Sequence, residues 1–194
     1  PIRLHYGGSG TLLSNLQVSK QGDLYLAGDV SYVETAREKG LVEEILPLAR
    51  MTPVIAVPTG NPKSVTGLDD LVRDDVRVAV GNPDAAAIGK AARKALTQTG
   101  HWEKLKQRVE QNGVFKPTVP EIANDIKLGS VDAGIIWDAT AKQYPDLDII
   151  ELEALAPARK EISVGVLTSS RQPTTALRFA RYLNSRVGNE VFRT

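Results

Sequence analysis

Hydrophobic positions along the chain follow two different spacings. Short runs of consecutive or alternating apolar residues indicate strands, and longer stretches with an apolar residue every three or four positions indicate amphipathic helices. The predicted strands span residues 2–6, 23–27, 41–46, 53–58, 76–80, 134–137, 148–152 and 162–167. The predicted helices span residues 11–20, 30–39, 68–72, 85–99, 102–111, 118–128 and 173–184. This alternation predicts an α/β fold with mixed, mostly parallel sheets flanked by helices.

Composition narrows the range of functions. The formal net charge is +1, and acidic and basic residues are interleaved, so the chain lacks the basic stripe typical of nucleic-acid binding. There is no cysteine, which excludes disulfides, thiolate metal sites and cysteine nucleophiles. The two histidines, His5 and His101, are far apart and neither lies beside a candidate nucleophile. We therefore expect no enzyme activity, no cofactor and no direct metal-cation site.

Three turns have the character of helix N-termini that could hold an anion. They cover residues 7–11 (GGSGT), 81–89 (GNPDAAAIG) and 117–121 (PTVPE), and each leads into a predicted helix. The first turn of a helix leaves backbone N–H groups unpaired and carries a partial positive charge. Since no lysine or arginine lies at these turns, together they predict a neutral set of donors that would bind and release an oxyanion.

Each turn also has a purely structural interpretation. Ser9 could be an N-cap residue, Thr118 and Glu121 match a capping box, and Trp137 ends an apolar strand and could belong to the core. Residues 81–89 match neither the Walker A nor the Rossmann glycine pattern, which disfavours nucleotide binding.

Four stretches also carry a family resemblance: residues 6–12 (YGGSGTL), 23–29 (DLYLAGD), 77–84 (RVAVGNPD) and 128–137 (LGSVDAGIIW). In order and spacing they resemble the molybdate/tungstate-binding proteins of bacterial ABC importers, which have the two-lobed class II solute-binding fold. The resemblance implies one lobe of residues 1–52 plus 160–194 and a second lobe of residues 53–159. It also implies that the family's first strand and helix are missing, which suggests a processed or truncated start at Pro1.

The resemblance assigns four ligand contacts. Ser9 would donate its hydroxyl and backbone N–H, and Ile88 and Val119 would each donate a backbone N–H. Trp137 stands where the family presents a tyrosine hydroxyl, so the indole would replace that donor. We expect the Trp137 ring beside the ligand and Trp102 on the outer face.

The function implied is an extracytoplasmic, periplasmic solute-binding protein that captures a tetrahedral oxyanion for an ABC importer. The expected partners are molybdate or tungstate and the membrane subunit of the importer, the expected state is a monomer, and no nucleic acid is involved. The chain itself contains no signal peptide. Two alternatives stay open: a binder of sulfate, phosphate or an organic acid, and the ligand-sensing domain of a transcription regulator.

Overall fold

The computed structural model describes residues 2–193, and the chain folds into two compact units. Unit 1 comprises Pro1–Met51 and Lys160–Thr194, and unit 2 comprises Thr52–Arg159. In chain order the helices and strands are α1 (Ser9–Ser19), β1 (Leu24–Ala27), α2 (Val30–Glu38), β2 (Val42–Met51), β3 (Pro53–Pro58), β4 (Val78–Gly81), α3 (Ala87–Gln98), α4 (Trp102–Asn112), β5 (Val114–Lys116), α5 (Val119–Lys127), β6 (Ala133–Trp137), α6 (Asp138–Ala141), β7 (Leu147–Ile150), β8 (Lys160–Leu167), α7 (Pro173–Leu183) and α8 (Arg186–Arg193). Short 3₁₀ helices occupy Asp69–Val72 and Ala156–Ala158.

Unit 1 is built on a sheet of three strands in the order β1-β8-β2, with β8 antiparallel to both neighbours. Alternate residues of each strand point to opposite faces, and both faces bury apolar side chains. One face packs against α1 and α2 through a cluster that includes Leu13, Tyr25, Val33 and Leu167. The other packs against α7 through a cluster that includes Leu48, Val164, Val166 and Ala180.

Unit 2 is built on a five-stranded sheet in the order β5-β4-β6-β3-β7. Strand β4 runs parallel to β5 and β6, whereas β3 is antiparallel to β6 and β7. All residues of β4 and β6 are buried, as expected for strands covered on both faces. Helices α3 and α5 both contact this sheet, and their buried residues complete the core.

The predicted α/β class with mixed sheets is confirmed, but parallel pairs are the minority. Parallel pairing is confined to β4 with β5 and β6, and the other pairs are antiparallel. The hydrophobic pattern identifies buried strands but does not contain their relative direction, which depends on where each strand docks.

Residues 2–6 do not form the predicted strand. The side chains of Ile2, Leu4 and Tyr6 are 69%, 65% and 86% exposed, and within residues 2–193 this segment pairs with no strand. Alternation of apolar residues gives a strand only where a neighbour accepts and donates its backbone hydrogen bonds. No helix within residues 2–193 combines the length and apolar character needed to cross a membrane.

An ion pair joins the starts of β4 and β6. Arg77 Nη2 lies 3.0 Å from Asp132 Oδ1, and the backbone N–H of Arg77 donates to Asp132 Oδ2 at 2.8 Å. Burial alone would raise the pKa of the Asp132 carboxyl, but the bonds from Arg77 outweigh burial and hold this pKa below its usual range. The aspartate of the 128–137 stretch therefore orders the sheet of unit 2.

We expect Asp132→Asn to lower the free energy of unfolding by about 1–3 kcal/mol at pH 7, because the charged acceptor is lost. Since the folded-state pKa is lowered, the carboxylate contributes its stability above the ordinary carboxyl range near pH 4 and loses it as the pH falls further. Urea unfolding of both proteins at pH 7 and pH 3 tests this. A difference between the two proteins that is as large at pH 3 as at pH 7 would contradict the assigned role.

Candidate functional site

Three of the four predicted contact residues lie at one edge of the unit 2 sheet. Strands β5, β4 and β6 are adjacent and parallel, so their carboxyl ends meet at the same edge. Strand β4 leads into α3 with Ile88, β5 leads into α5 with Val119, and β6 ends at Trp137. The loop after β4 is tied to the last residue of β5, because the Asn82 N–H donates to the Lys116 carbonyl at 2.8 Å. Ligands bind at this edge in open α/β sheets.

Helix α3 begins without a capping side chain. Its N-cap, Ala86, has an extended backbone with φ −111° and ψ 136°, and no acidic residue stands in the first turn. Among residues 2–193, no protein group accepts the backbone N–H of Ile88. The Ile88 side chain is buried, and its backbone N–H lies at the positive end of the helix. The contact of this N–H with a ligand stays a prediction.

Helix α5 also begins uncapped, although its sequence predicts a capping box. Thr118 is the N-cap, but its hydroxyl donates to Glu121 Oε1 at 2.7 Å instead of accepting a backbone N–H. A carboxylate is a stronger hydrogen-bond acceptor than a neutral oxygen, so the Thr118 hydroxyl and the Glu121 side chain pair with each other. Pro120 has no N–H, and within the described residues no protein group accepts the Val119 N–H. The predicted capping box is therefore wrong, and the donor at Val119 is unpaired.

Trp137 is buried, with 4% of its surface exposed, at the last position of β6 and opposite Pro53 in β3. The next residue, Asp138, accepts backbone N–H groups from Thr52 and Ala139 and so closes the start of α6 with a carboxylate. Trp102, the first residue of α4, is also buried, and its position on the outer face, away from a ligand, stays a prediction. The placement of the Trp137 ring beside a ligand stays a prediction.

A cavity of about 370 Å³ lies in unit 2 next to Asp138, at the start of α6. Its lining includes three carboxylates, Asp138, Glu151 and Glu153, and one guanidinium, Arg159. Carboxylates repel an oxyanion, so the starts of α3 and α5 are the better anion-binding groups of unit 2. In the part of the chain that the structure describes, no group of three or more His, Asp or Glu side chains could hold a metal ion.

Ser9 lies in unit 1 as the first residue of α1, with 8% of its surface exposed. Its hydroxyl oxygen accepts the Gly28 N–H at 3.2 Å, and its carbonyl accepts the Tyr25 hydroxyl at 2.7 Å. Burial, and secondarily the nearby Tyr32, raises the pKa of Tyr25, so Tyr25 stays a protonated donor. These contacts fix the orientation of Ser9 and leave its own O–H to donate to a ligand.

The start of α2, next to Ser9, is closed by its own carboxylate. Asp29 accepts the Ser31 N–H at 2.9 Å, and its other oxygen lies 2.9 Å from Lys160 Nζ. Burial would raise the pKa of Asp29, but the bonds from Ser31 and Lys160 outweigh burial and lower it, so Asp29 is ionised at neutral pH. Sequence reasoning missed Lys160, because the lysine lies 131 positions after Asp29 in the chain and no local motif marks it.

We expect Ser9→Ala to weaken oxyanion binding by about 1–3 kcal/mol, because one donor to the anion is lost. The same change leaves the Gly28 N–H without its acceptor, which should cost about 1 kcal/mol of unfolding free energy. Calorimetric titration and urea unfolding measure the two effects. Ser14→Ala is the matched control, since the Ser14 hydroxyl bonds only within α1. Unchanged affinity with a large loss of stability would show that Ser9 acts as a structural residue alone.

We expect a saturating oxyanion to change the fluorescence of Trp137, because an indole is sensitive to a charge bound nearby. The chain has two tryptophans, so Trp102→Phe isolates the signal of Trp137. Emission spectra are recorded during a titration whose binding is established separately by calorimetry. A flat signal at saturation would place Trp137 in the core, away from the ligand.

Comparisons with known proteins show which proteins this chain resembles. The protein family described as "Bacterial extracellular solute-binding protein" matches residues 1–194. A Haemophilus influenzae protein whose name assigns it no ligand is 27% identical over 192 residues, which cover 98% of this chain and 77% of the relative. The molybdate-binding protein ModA of Mycobacterium tuberculosis is 22% identical over 193 residues, which cover 98% of this chain and 70% of that protein. The structure of the Azotobacter vinelandii periplasmic molybdate-binding protein superimposes with a TM-score of 0.81 at 16% identity. The superposition covers 96% of this chain and 81% of that protein's chain.

Proposed function

The chain belongs to the family of bacterial extracellular solute-binding proteins, and from this premise we propose that it captures molybdate or tungstate outside the cytoplasm for an ABC importer. Unit 1 and unit 2 correspond to the two lobes of such a protein, and each carries hydrogen-bond donors suited to a tetrahedral oxyanion. The chain acts as a monomer that delivers this anion to the membrane subunit of the importer. Relatives that are named as molybdate-binding proteins support this choice of ligand.

One observation carries the proposal: two uncapped helix starts follow neighbouring parallel strands of the unit 2 sheet. The unpaired N–H groups of Ile88 and Val119 come after β4 and β5, and the loop after β4 is bonded to the last residue of β5. Backbone donors at helix N-termini bind an anion without a full positive charge on the protein. In unit 1 the Ser9 hydroxyl is a donor of the same neutral kind, and two hydrogen bonds fix the orientation of Ser9.

Donors of this kind favour an oxyanion that is fully ionised. A backbone N–H and a hydroxyl proton both donate to an oxygen that carries no proton, whereas monohydrogen phosphate also needs an acceptor for its own proton. Molybdate, tungstate and sulfate have no such proton at neutral pH. We therefore expect phosphate to bind more weakly than these three anions, with the size of the site separating sulfate from the larger two.

The direct test is a panel of molybdate, tungstate, sulfate and phosphate in thermal unfolding, followed by calorimetric titration. A ligand at 100 times its dissociation constant stabilises the folded state by about 2.7 kcal/mol, which is a readily measured shift in melting temperature. We expect molybdate and tungstate to give the largest shifts. A shift with sulfate alone would reassign the ligand, and no shift with any of the four would refute oxyanion binding.

A further inference from the structure

A buried ion pair lies directly beside the donor groups of unit 1. Lys160, the first residue of β8, places its Nζ 2.9 Å from Asp29 Oδ2. Only 3% of the Asp29 side chain and 21% of the Lys160 side chain are exposed. Two opposite charges that are held this far from solvent act strongly on neighbouring groups, because water screens them little.

The pair is connected to Ser9 through a short chain of contacts. The Ser9 hydroxyl oxygen accepts the N–H of Gly28, and Asp29 is the next residue along the backbone, with its Cα about 3.8 Å further on. Asp29 then holds Lys160. The Asp29 carboxylate is therefore one residue away from the group that bonds to the Ser9 hydroxyl, and Lys160 lies beside this carboxylate.

We propose that Lys160 is the charge that attracts the anion to the Ser9 donor group, and that Asp29 limits this attraction so that the anion can be released. The inference rests on the proposed oxyanion function and adds to it a pair of residues that sets affinity. An ammonium group has three donors, and the contact of Lys160 with the single oxygen Asp29 Oδ2 occupies at most one of them, which leaves the others for a second anion. The partial exposure of Lys160 is consistent with such access.

This arrangement predicts effects of opposite sign for the two members of the pair. Asp29→Asn leaves Lys160 without its counter-charge, so molybdate should bind about tenfold more tightly or better. Asparagine is as good an N-cap as aspartate, so α2 keeps its cap. Lys160→Met leaves a buried carboxylate unopposed, so molybdate should bind about tenfold more weakly or worse. The double variant restores neutrality and should return to within about threefold of the wild type.

The experiment is a calorimetric titration of molybdate into the wild type, both single variants and the double variant. Matched charge controls stand at the other end of α2, where Glu38→Gln and Lys39→Met lie 9 or 10 positions away from Asp29, about 14 Å along the helix. These controls should change the affinity less than twofold. If Lys160→Met does not fold, the comparison of Asp29→Asn with the wild type still decides whether loss of the Asp29 charge raises or lowers the affinity for molybdate.

Tighter binding by Asp29→Asn together with recovery in the double variant would support the inference. Equal weakening by both single variants without recovery would overturn it, because the pair would then only hold unit 1 together. Unchanged affinity in all variants would also overturn it while leaving the oxyanion function intact. Absence of binding of any of the four anions to the wild type would instead refute the proposed function, and the inference with it.

Discussion

We expect Ala87→Asp to abolish the binding of molybdate and of every other oxyanion that the wild-type protein binds. Ala87 is the first residue of α3 and immediately precedes Ile88, whose N–H is a proposed donor to the anion. A carboxylate on the residue next to this donor would repel the anion, and two like unit charges about 5 Å apart repel each other by about 3 kcal/mol at an effective dielectric constant of about 20. We therefore expect the affinity to fall by more than a hundredfold.

The helix itself should tolerate this change, because an acidic residue in the first turn interacts favourably with the helix dipole. Ala87 is buried, so a larger side chain has a steric cost of its own, and Ala87→Asn is the matched control for that cost. Calorimetric titration of both variants separates charge from size. Equal affinities of the aspartate and asparagine variants would show that the start of α3 lies away from the ligand.

Gly89→Ala should destabilise the protein by about 3 kcal/mol or more, although alanine is the better helix former. Helix propensity alone favours alanine by about 1 kcal/mol. A Cβ atom at Gly89, however, would collide with the carbonyl oxygen of Gly81 and lie 2.5 Å from the carbonyl carbon of Asn82. Both are backbone atoms that cannot rotate away, so the first turn of α3 would have to move off the end of β4.

This displacement should also weaken oxyanion binding, because the Ile88 N–H moves with the turn. Urea unfolding measures the stability, and Gly67→Ala provides the control within the same unit, since nothing lies within 4 Å of a Cβ atom at Gly67. The control should stay within about 0.5 kcal/mol of the wild type. A Gly89→Ala variant as stable as that control would disprove the close packing of α3 on β4.

The positions of the helix starts could be predicted because they depend on local sequence. The glycines at 81 and 89 and the run of alanines between them predict a strand, a tight turn and a helix, and α3 begins within two residues of the predicted position. The same reasoning placed Ser9 at the start of α1 and Val119 at the start of α5.

Other features could not be predicted, because a local pattern does not fix which groups come together. The Thr118 hydroxyl donates to the Glu121 side chain and accepts no backbone N–H, so these two residues pair without forming a capping box. Residues 2–6 alternate like a strand but find no neighbour to pair with in the described structure. The short strand β5 and the helices α6 and α8 were not predicted, since segments of three to eight residues carry too few apolar positions to show a period.

The sequence by itself determined where a strand or loop ends and a helix begins, because glycine, proline and apolar spacing act over a few residues. It also determined which of these helix starts lack a basic residue. Only the tertiary structure decided which strands run parallel, and hence that Ile88, Val119 and Trp137 share one edge. It also decided that Lys160 returns from the far end of the chain to neutralise Asp29 beside Ser9. Strand direction and charge pairing are set by contacts between segments far apart in sequence, and a local pattern contains no information about them.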